Sequence, residues 1–275
     1  MKQIALTVNF EKQHAEITAR RLIDCLKGKA QLYSCDDKVC ALGCIKAESE
    51  DELFSRCGIA AVLGGDGTII ITAKKCARYN TVLLGINTGN LGYLTMFDSH
   101  SIEDAANMLL ADSLHYDIRY MLSVYRFSGG KADFCGYALN EAVLSRGKMP
   151  HLMDFTAVSE GKTVCMYRAD GIIVSTPTGS TAYSLAAGGP VLSPDTDAML
   201  ITPICPHMLK ARSIVLPPKK ITLYAEEGAF LALDGQESCA MEKGDAVIVE
   251  KAELFVRLAH RSEKSFYDIL QDKFR

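Results

Sequence analysis

Short apolar runs alternate with helical patterns through the first third of the chain. Residues 3–8 read as a strand, 11–26 as a helix, 58–63 as a strand, 68–77 as a helix and 82–86 as a strand. The runs Ile59-Ala60-Ala61-Val62-Leu63 and Val82-Leu83-Leu84-Gly85-Ile86 are continuous rather than alternating. That is the pattern of parallel strands covered on both faces. It predicts an open α/β, Rossmann-like sheet, with ligands in the loops beyond the carboxyl ends of its strands.

From about Tyr116 the texture changes to strand-like runs in succession: 116–127, 134–144, 152–158, 163–167, 171–175, 221–225, 230–233, 246–250 and 254–258. Turn residues at Ser128-Gly129-Gly130, Glu160-Gly161-Lys162 and Glu226-Glu227-Gly228 separate several of them at hairpin distances. Residues 262–274 read as a short amphipathic helix with Phe266, Ile269, Leu270 and Phe274 on one face. The predicted class is therefore α/β plus β-rich. An N-terminal α/β domain spans 1–105, a mainly-β domain spans 106–259, and the terminal helix, 260–275, returns to the first domain.

Composition narrows the function without adding to the fold. Hydrophobic residues are 48% and charged residues 23% of the 275, ordinary values for a chain that builds a real core. The net charge of −3 and the lack of a dense Lys/Arg run remove the electrostatic footprint of a protein that grips nucleic acid or anionic lipid. No apolar stretch is long enough to span a bilayer, and the first residues lack the basic start and cleavage site of a signal peptide. The ten scattered cysteines read as reduced thiols of a cytoplasmic protein. Cys35, Cys40 and Cys44 lie near one another but lack a paired CxxC or a histidine cluster, so they read as small buried hydrophobes rather than a zinc site.

The strand ending at Leu63 runs into Gly64-Gly65-Asp66-Gly67-Thr68, directly before a helical pattern. Glycines there permit positive φ and close ligand approach, and the following helix start offers unpaired N–H groups to a phosphate. Neither a Walker loop nor an early GxGxxG is present. Asp66 either accepts a hydroxyl proton or sits beside Mg²⁺, or it caps the helix starting near Thr68. A second glycine turn, Asn87-Thr88-Gly89-Asn90-Leu91-Gly92-Tyr93-Leu94, follows the next strand and so opens on the same edge; its Tyr93 offers an aromatic face to a base or packs in the core.

Asn140-Glu141 falls within an apolar, strand-like run, where a buried carboxylate needs a polar partner. The densest block is Tyr167-Arg168-Ala169-Asp170-Gly171, a strand, and then Thr176-Pro177-Thr178-Gly179-Ser180-Thr181-Ala182-Tyr183-Ser184-Leu185-Ala186-Ala187-Gly188-Gly189-Pro190. Pro177 and Gly179 set a turn, Ser180 or Thr181 caps a short helix, and Gly188-Gly189-Pro190 ends it. A GxSxG elbow is absent, which argues against a serine hydrolase.

Taken together and in order, these segments resemble the NAD kinase family. The likeness continues through Thr202-Pro203-Ile204-Cys205-Pro206-His207, Asp234-Gly235-Gln236 and Lys264-Ser265-Phe266-Tyr267, and so covers nearly the whole chain. GGDGT alone also occurs in lipid kinases and phosphofructokinases; TPTGSTAY decides. Departures are small: Asn90 and Tyr93 stand where the family often has His and Phe, and Ser213 replaces a proline.

The resemblance implies transfer of the γ-phosphoryl group of ATP, with Mg²⁺ or another divalent cation, to the 2′-hydroxyl of the adenosine ribose of NAD, giving NADP. Polyphosphate is a further candidate donor. It also implies a homodimer or homotetramer, with NAD held by residues of both domains. Asp66 matches the catalytic aspartate, and Gly64, Gly65, Gly67 and Thr68 form the phosphate loop. Gly67, Tyr93, Asn140, Glu141, Arg168, Asp170, Thr178, Thr181, Ala182, Tyr183, Ser184, Leu185, Ala186 and Gln236 match the NAD-binding positions, joined there by Asp66. Two rivals stand beside this reading: another GGDGT-type kinase acting on a lipid or sugar phosphate, and a non-catalytic dinucleotide sensor.

Overall fold

The computed structural model describes residues 1–89, 92–111, 114–260 and 265–274. Two compact units form, one from Met1–Ile118 with Val256–Arg275 and the other from Arg119–Phe255. No helix among the described residues is long and apolar enough to cross a membrane.

The first unit begins with β1 (Lys2–Val8), α1 (Ala15–Leu26), β2 (Ala30–Ser34), α2 (Asp37–Cys40), β3 (Ile45–Lys46) and α3 (Glu50–Arg56). It continues with β4 (Ile59–Gly64), α4 (Asp66–Arg78), β5 (Val82–Asn87) and α5 (Ile102–Leu110). The strands pair in parallel in the order β5-β4-β1-β2-β3. Every residue of β5 is buried, as its continuous apolar run requires. The short elements β2, β3, α2 and α3 give no long periodic signal, and sequence patterning passes over them.

Two helix starts differ from the pattern-based reading. The α1 helix begins at Ala15 rather than at 11, because Asn9 makes a turn first. Its Oδ1 accepts from the Glu11 N–H (3.0 Å), and its carbonyl accepts from the Lys12 N–H (3.2 Å). The α4 helix begins earlier than 68, with Gly65 at the N-cap and Asp66 in the first turn. Buried residues of α4 recur at Ile69, Thr72, Ala73, Cys76 and Ala77, the spacing of one helical face.

The second unit holds two antiparallel sheets. Long β6 (Tyr116–Ser128) enters it and pairs with β7 (Lys131–Ala138), followed by β8 (Glu141–Ser145), β9 (Met153–Ser159), β10 (Lys162–Ala169) and β11 (Gly171–Ser175). A 3₁₀ turn (Thr178–Thr181) and the one-turn helix α6 (Tyr183–Ala186) precede β12 (Met199–Ile204), β13 (Ile214–Leu216), β14 (Ile221–Ala225), β15 (Ala229–Leu233) and β16 (Gln236–Met241). Finally β17 (Ala246–Ala259) passes back into the first unit, where Arg257 and Leu258 pair in parallel with β5. One sheet runs β13-β12-β11-β8-β15-β16; in the other, β10, β9, β14 and β17 are successive neighbours. Phe155, Leu223 and Val247 of the latter pack with Leu144, Ile172, Val174, Ile201 and Leu231 of the former in one core.

The predicted run 134–144 is two strands, β7 and β8, broken at Leu139 and Asn140, and 246–250 with 254–258 is a single strand. Within the first unit, α7 (Phe266–Phe274) buries Ile269 in the core of that unit; residues 261–264, where the helix 262–274 was predicted to begin, lie outside the described residues. The predicted class, α/β followed by a β-rich part, is the observed one.

Ile69 is fully buried, and its Cδ1 lies 2.9 Å from where a Cβ on Gly85 of β5 would stand. This contact seats α4 on the sheet. Ile69→Ala should lower the stability of the protein by about 2–5 kcal/mol, read as a fall in the urea midpoint of unfolding.

Candidate functional site

In the first unit the two glycine turns meet through one side chain. The N–H of Tyr93 donates to Asp66 Oδ2 at 2.9 Å, and that of Leu94 to Asp66 Oδ1 at 3.2 Å. Parallel pairing of β4 with β5, Gly64 opposite Asn87, brings the turns side by side. Gly92 completes the contact: a Cβ there would lie 1.9 Å from Asp66 Oδ1, so only glycine leaves room for the carboxylate. Asn90 and Leu91, the middle of the second turn, lie outside the described residues.

The capping alternative for Asp66 does not describe the observed position. Asp66 is not an N-cap, since Gly65 has that place, and its side chain is spent on the neighbouring turn rather than on its own helix. Gly64 acts by size rather than by φ, whereas a Cβ on Gly65 or Gly67 would meet no close neighbour. Gly64, Gly65 and Gly67 are absent from the positive-φ residues, and a Cβ on Gly64 would lie 2.5 Å from Thr68 Oγ1. Thr68 Oγ1 in turn accepts from Asn9 Nδ2 at 3.1 Å. The α4 start presents first-turn N–H groups and the positive end of its dipole at Gly65–Gly67, while the Thr68 N–H donates to Gly65 O at 3.0 Å. Lys12 brings a cation there, its Cε 4.0 Å from the Cβ position of Gly65. Asn9 and Lys12 escape sequence reading because they belong to a loop without a motif.

Tyr93 is half-buried against the core of the first unit, and Lys273 Nζ lies 5.6 Å from its ring centroid. Burial, and then the Asp66 charge, push its phenol above the ordinary value. It therefore keeps its proton at neutral pH.

In the second unit the organising group is Asp234, held at φ +52° in the tight connection between β15 and β16. Its carboxylate accepts from the N–H groups of Leu139 (2.9 Å), Asn140 (2.8 Å) and Glu141 (3.2 Å). Those bonds take the place of ladder bonds and divide β7 from β8, so Asn140-Glu141 stands at a strand start rather than within a strand. Both residues are buried. The Asn140 Oδ1 has no hydrogen-bond partner among the described residues.

The TPTGSTAY segment packs onto that backbone. Asn140 O accepts from the Thr176 N–H (2.9 Å), Leu139 O accepts from Thr176 Oγ1 (2.7 Å), and a Cβ on Gly179 would lie 2.2 Å from Asn140 O. Arg119, buried and unmarked by any motif, reaches Thr178 Oγ1 with Nη1 at 3.5 Å. The expected hydroxyl cap is not made. Ser180 Oγ donates to Pro177 O (2.6 Å) and accepts from the Leu192 N–H (2.9 Å), Thr181 Oγ1 donates to Thr178 O, and Ala182 precedes α6 without a side-chain bond. Ser184 is fully buried and hydrogen-bonded to Thr202 Oγ1 at 2.8 Å.

Tyr183 is exposed, and burial of part of its ring with the charges of Cys205, Asp170 and Glu141 raises its phenol above the ordinary value. Thr181, Ala182, Leu185 and Ala186 lie along the same accessible segment. Asp170 is paired with Arg146 at 2.6 Å. Arg168 sits apart in β10, in the other sheet, facing Asp154 at 3.7 Å. Gln236 is exposed at the start of β16.

A glycine turn at a helix start with a fixed carboxylate, in a chain with a separate β-rich unit carrying a threonine- and serine-rich turn, defines a phosphate-handling α/β protein. The N-terminal domain of the ATP-NAD kinases matches residues 2–114, and their C-terminal domain matches residues 139–260. The NAD kinase of Symbiobacterium thermophilum is 39% identical over 287 residues, covering 99% of both chains, and that of Desulforamulus reducens is 35% identical over 282 residues, covering 100% of this chain and 98% of the relative. The chain belongs to the NAD kinase family. Solved structures agree in fold: a yeast NADH kinase complexed with NADH (TM-score 0.87, 21% identity, 100% of this chain and 87% of that one) and an NAD kinase from Archaeoglobus fulgidus in complex with ATP (TM-score 0.75, 24% identity, 98% of each).

Gly92→Ala forces the Asp66 carboxylate to move. Turnover should fall by about 10²-fold, the order expected for a 1 Å misplacement of a reacting group, with a circular dichroism spectrum matching the parent. A Gly92→Ala protein of unchanged turnover would mean that the position of Asp66 is unimportant to the reaction.

Proposed function

We propose that the protein transfers the terminal phosphoryl group of ATP to the 2′-hydroxyl of the adenosine ribose of NAD, forming NADP. The observation that carries this reading is the Asp66 carboxylate, fixed by two backbone N–H groups beside a glycine turn in a chain of this family.

Phosphoryl transfer asks mainly for positioning and charge neutralisation. The N–H groups at Gly65–Gly67 and the Lys12 cation supply attraction for the donor phosphates. Asp66 takes the proton of the 2′-hydroxyl as the ribose oxygen bonds to the γ-phosphorus, and the bond from that phosphorus to the bridging oxygen breaks with its electron pair leaving on ADP. Asn140, Glu141, Thr178, Tyr183 and the accessible residues Thr181, Ala182, Leu185 and Ala186 bind the acceptor, with buried Ser184 and with Asp170, Arg168 and Gln236 assigned to it by family resemblance.

A divalent cation such as Mg²⁺ accompanies ATP in this reading, neutralising phosphate charge when bound. Among the described residues no group of three or more His, Cys, Asp or Glu is disposed to hold a metal. Mg²⁺ is commonly held by one or two carboxylates together with the phosphates of its substrate, and the single carboxylate of Asp66 fits that arrangement. Polyphosphate as an alternative donor, assembly as a homodimer or homotetramer, and a cytoplasmic setting belong to the same proposal. The ten free cysteines support the last.

Asp66→Asn tests the assignment. Turnover of NAD to NADP, followed with an NADP-specific dehydrogenase, should fall by roughly 10²–10⁴, the usual share of general acid–base catalysis. The amide keeps one acceptor oxygen for the two N–H donors, so a stability loss of about 1 kcal/mol accompanies it. A thermal shift of that size with near-parent kcat would falsify the catalytic role and leave Asp66 as a clamp alone.

A further inference from the structure

The first unit contains a cavity that the reading above does not use. Its volume is about 210 Å³, and it lies between α3 and α4 at the carboxyl ends of β1 and β2. Val8, Leu53 and Phe54 line it with buried apolar surface, Ser34 and Thr72 with buried hydroxyl-bearing side chains, and Cys35 with a half-buried thiol. The Lys75–Glu50 ion pair stands among the lining residues, partly exposed.

Three features identify an occupant. Ligands of open α/β sheets bind beyond the carboxyl ends of the strands, which is where this cavity lies. Its volume is below the roughly 300–1,000 Å³ of pockets that enclose a whole drug-sized ligand, so it suits one end of a larger molecule. Apolar side chains with hydroxyls at the edge suit a flat heteroaromatic base and its sugar. The rest of such a molecule has a destination. Thr72 is four residues beyond Thr68 on α4, about 6 Å of helical rise, and donates to the Thr68 carbonyl at 2.9 Å. The cavity therefore begins about one helical turn from the glycine turn over which Lys12 passes.

We propose that this cavity holds the nucleoside end of the phosphoryl donor, a nucleoside triphosphate whose phosphates lie over Gly65–Thr68. The assignment rests on the donor reading given above. None of the residues assigned to the acceptor lines this cavity, which leaves it without a claim from NAD.

Cys35 reports on occupancy in the unmodified protein. Its alkylation is followed by peptide mass spectrometry at pH 9, since burial holds its thiol above the ordinary value; Cys205, exposed in the second unit, is the internal reference. A nonhydrolysable ATP analogue at about ten times its Kd should slow modification of Cys35 by about tenfold and leave Cys205 unchanged. Inorganic tripolyphosphate and NAD should leave both rates unchanged. In parallel, Cys35→Phe, which fills the cavity, should raise the KM for ATP by about tenfold without changing that for NAD.

Equal protection of Cys35 by tripolyphosphate or NAD overturns the proposal, as does unaltered labelling with saturating ATP analogue in protein that forms NADP. Protection by the analogue in protein that forms no NADP supports the cavity assignment while removing the acceptor reading.

Discussion

Two hydrogen bonds from the Tyr93 and Leu94 N–H groups to the Asp66 carboxylate tie together the ends of neighbouring parallel strands. Each loop is shaped by what the other contributes. The first supplies the charge and the second supplies donors and the space above Gly92. A carboxylate at a helix start already interacts favourably with the dipole, and backbone donors fix the direction of its oxygens. The placement of the candidate base thus follows from backbone geometry, which few side-chain substitutions elsewhere in the first unit would disturb.

The second unit solves a similar problem with its own acid. Asp234 gathers three consecutive N–H groups from a segment 94 residues earlier, counted to Asn140, and the TPTGSTAY turn then rests on the carbonyls of Leu139 and Asn140. Both units use a carboxylate to hold backbone N–H groups of a neighbouring segment.

Legibility in the sequence tracked the range of the interactions involved. The α/β rhythm, the change to β texture and the glycine turns depend on local pattern, and β1, β4, β5 and β11 are found within a residue or two of where the apolar runs predict them. What pattern could not reveal depends on distant partners. The apolar run around Asn140 looks continuous because nothing local announces the capture of its N–H groups by Asp234. The hydroxyls of Ser180 and Thr181 look like caps until Pro177, Leu192 and Thr178 claim them. Lys12 and Arg119 carry no motif and become candidates only when a neighbour, Gly65 or Thr178, is known.

The Oδ1 of Asn140, unsatisfied among the described residues, bears on how this chain would respond to selection for heat resistance. A buried acceptor without a partner among the described residues costs about 1–3 kcal/mol, a penalty that a hydroxyl or amide of the proposed acceptor would relieve. Apolar replacements of similar shape would remove the penalty, together with the recognition proposed for this side chain. Under the proposed role, marginal stability at this position is a trade against function, and a screen that rewards thermal tolerance alone would drift toward variants weakened in binding.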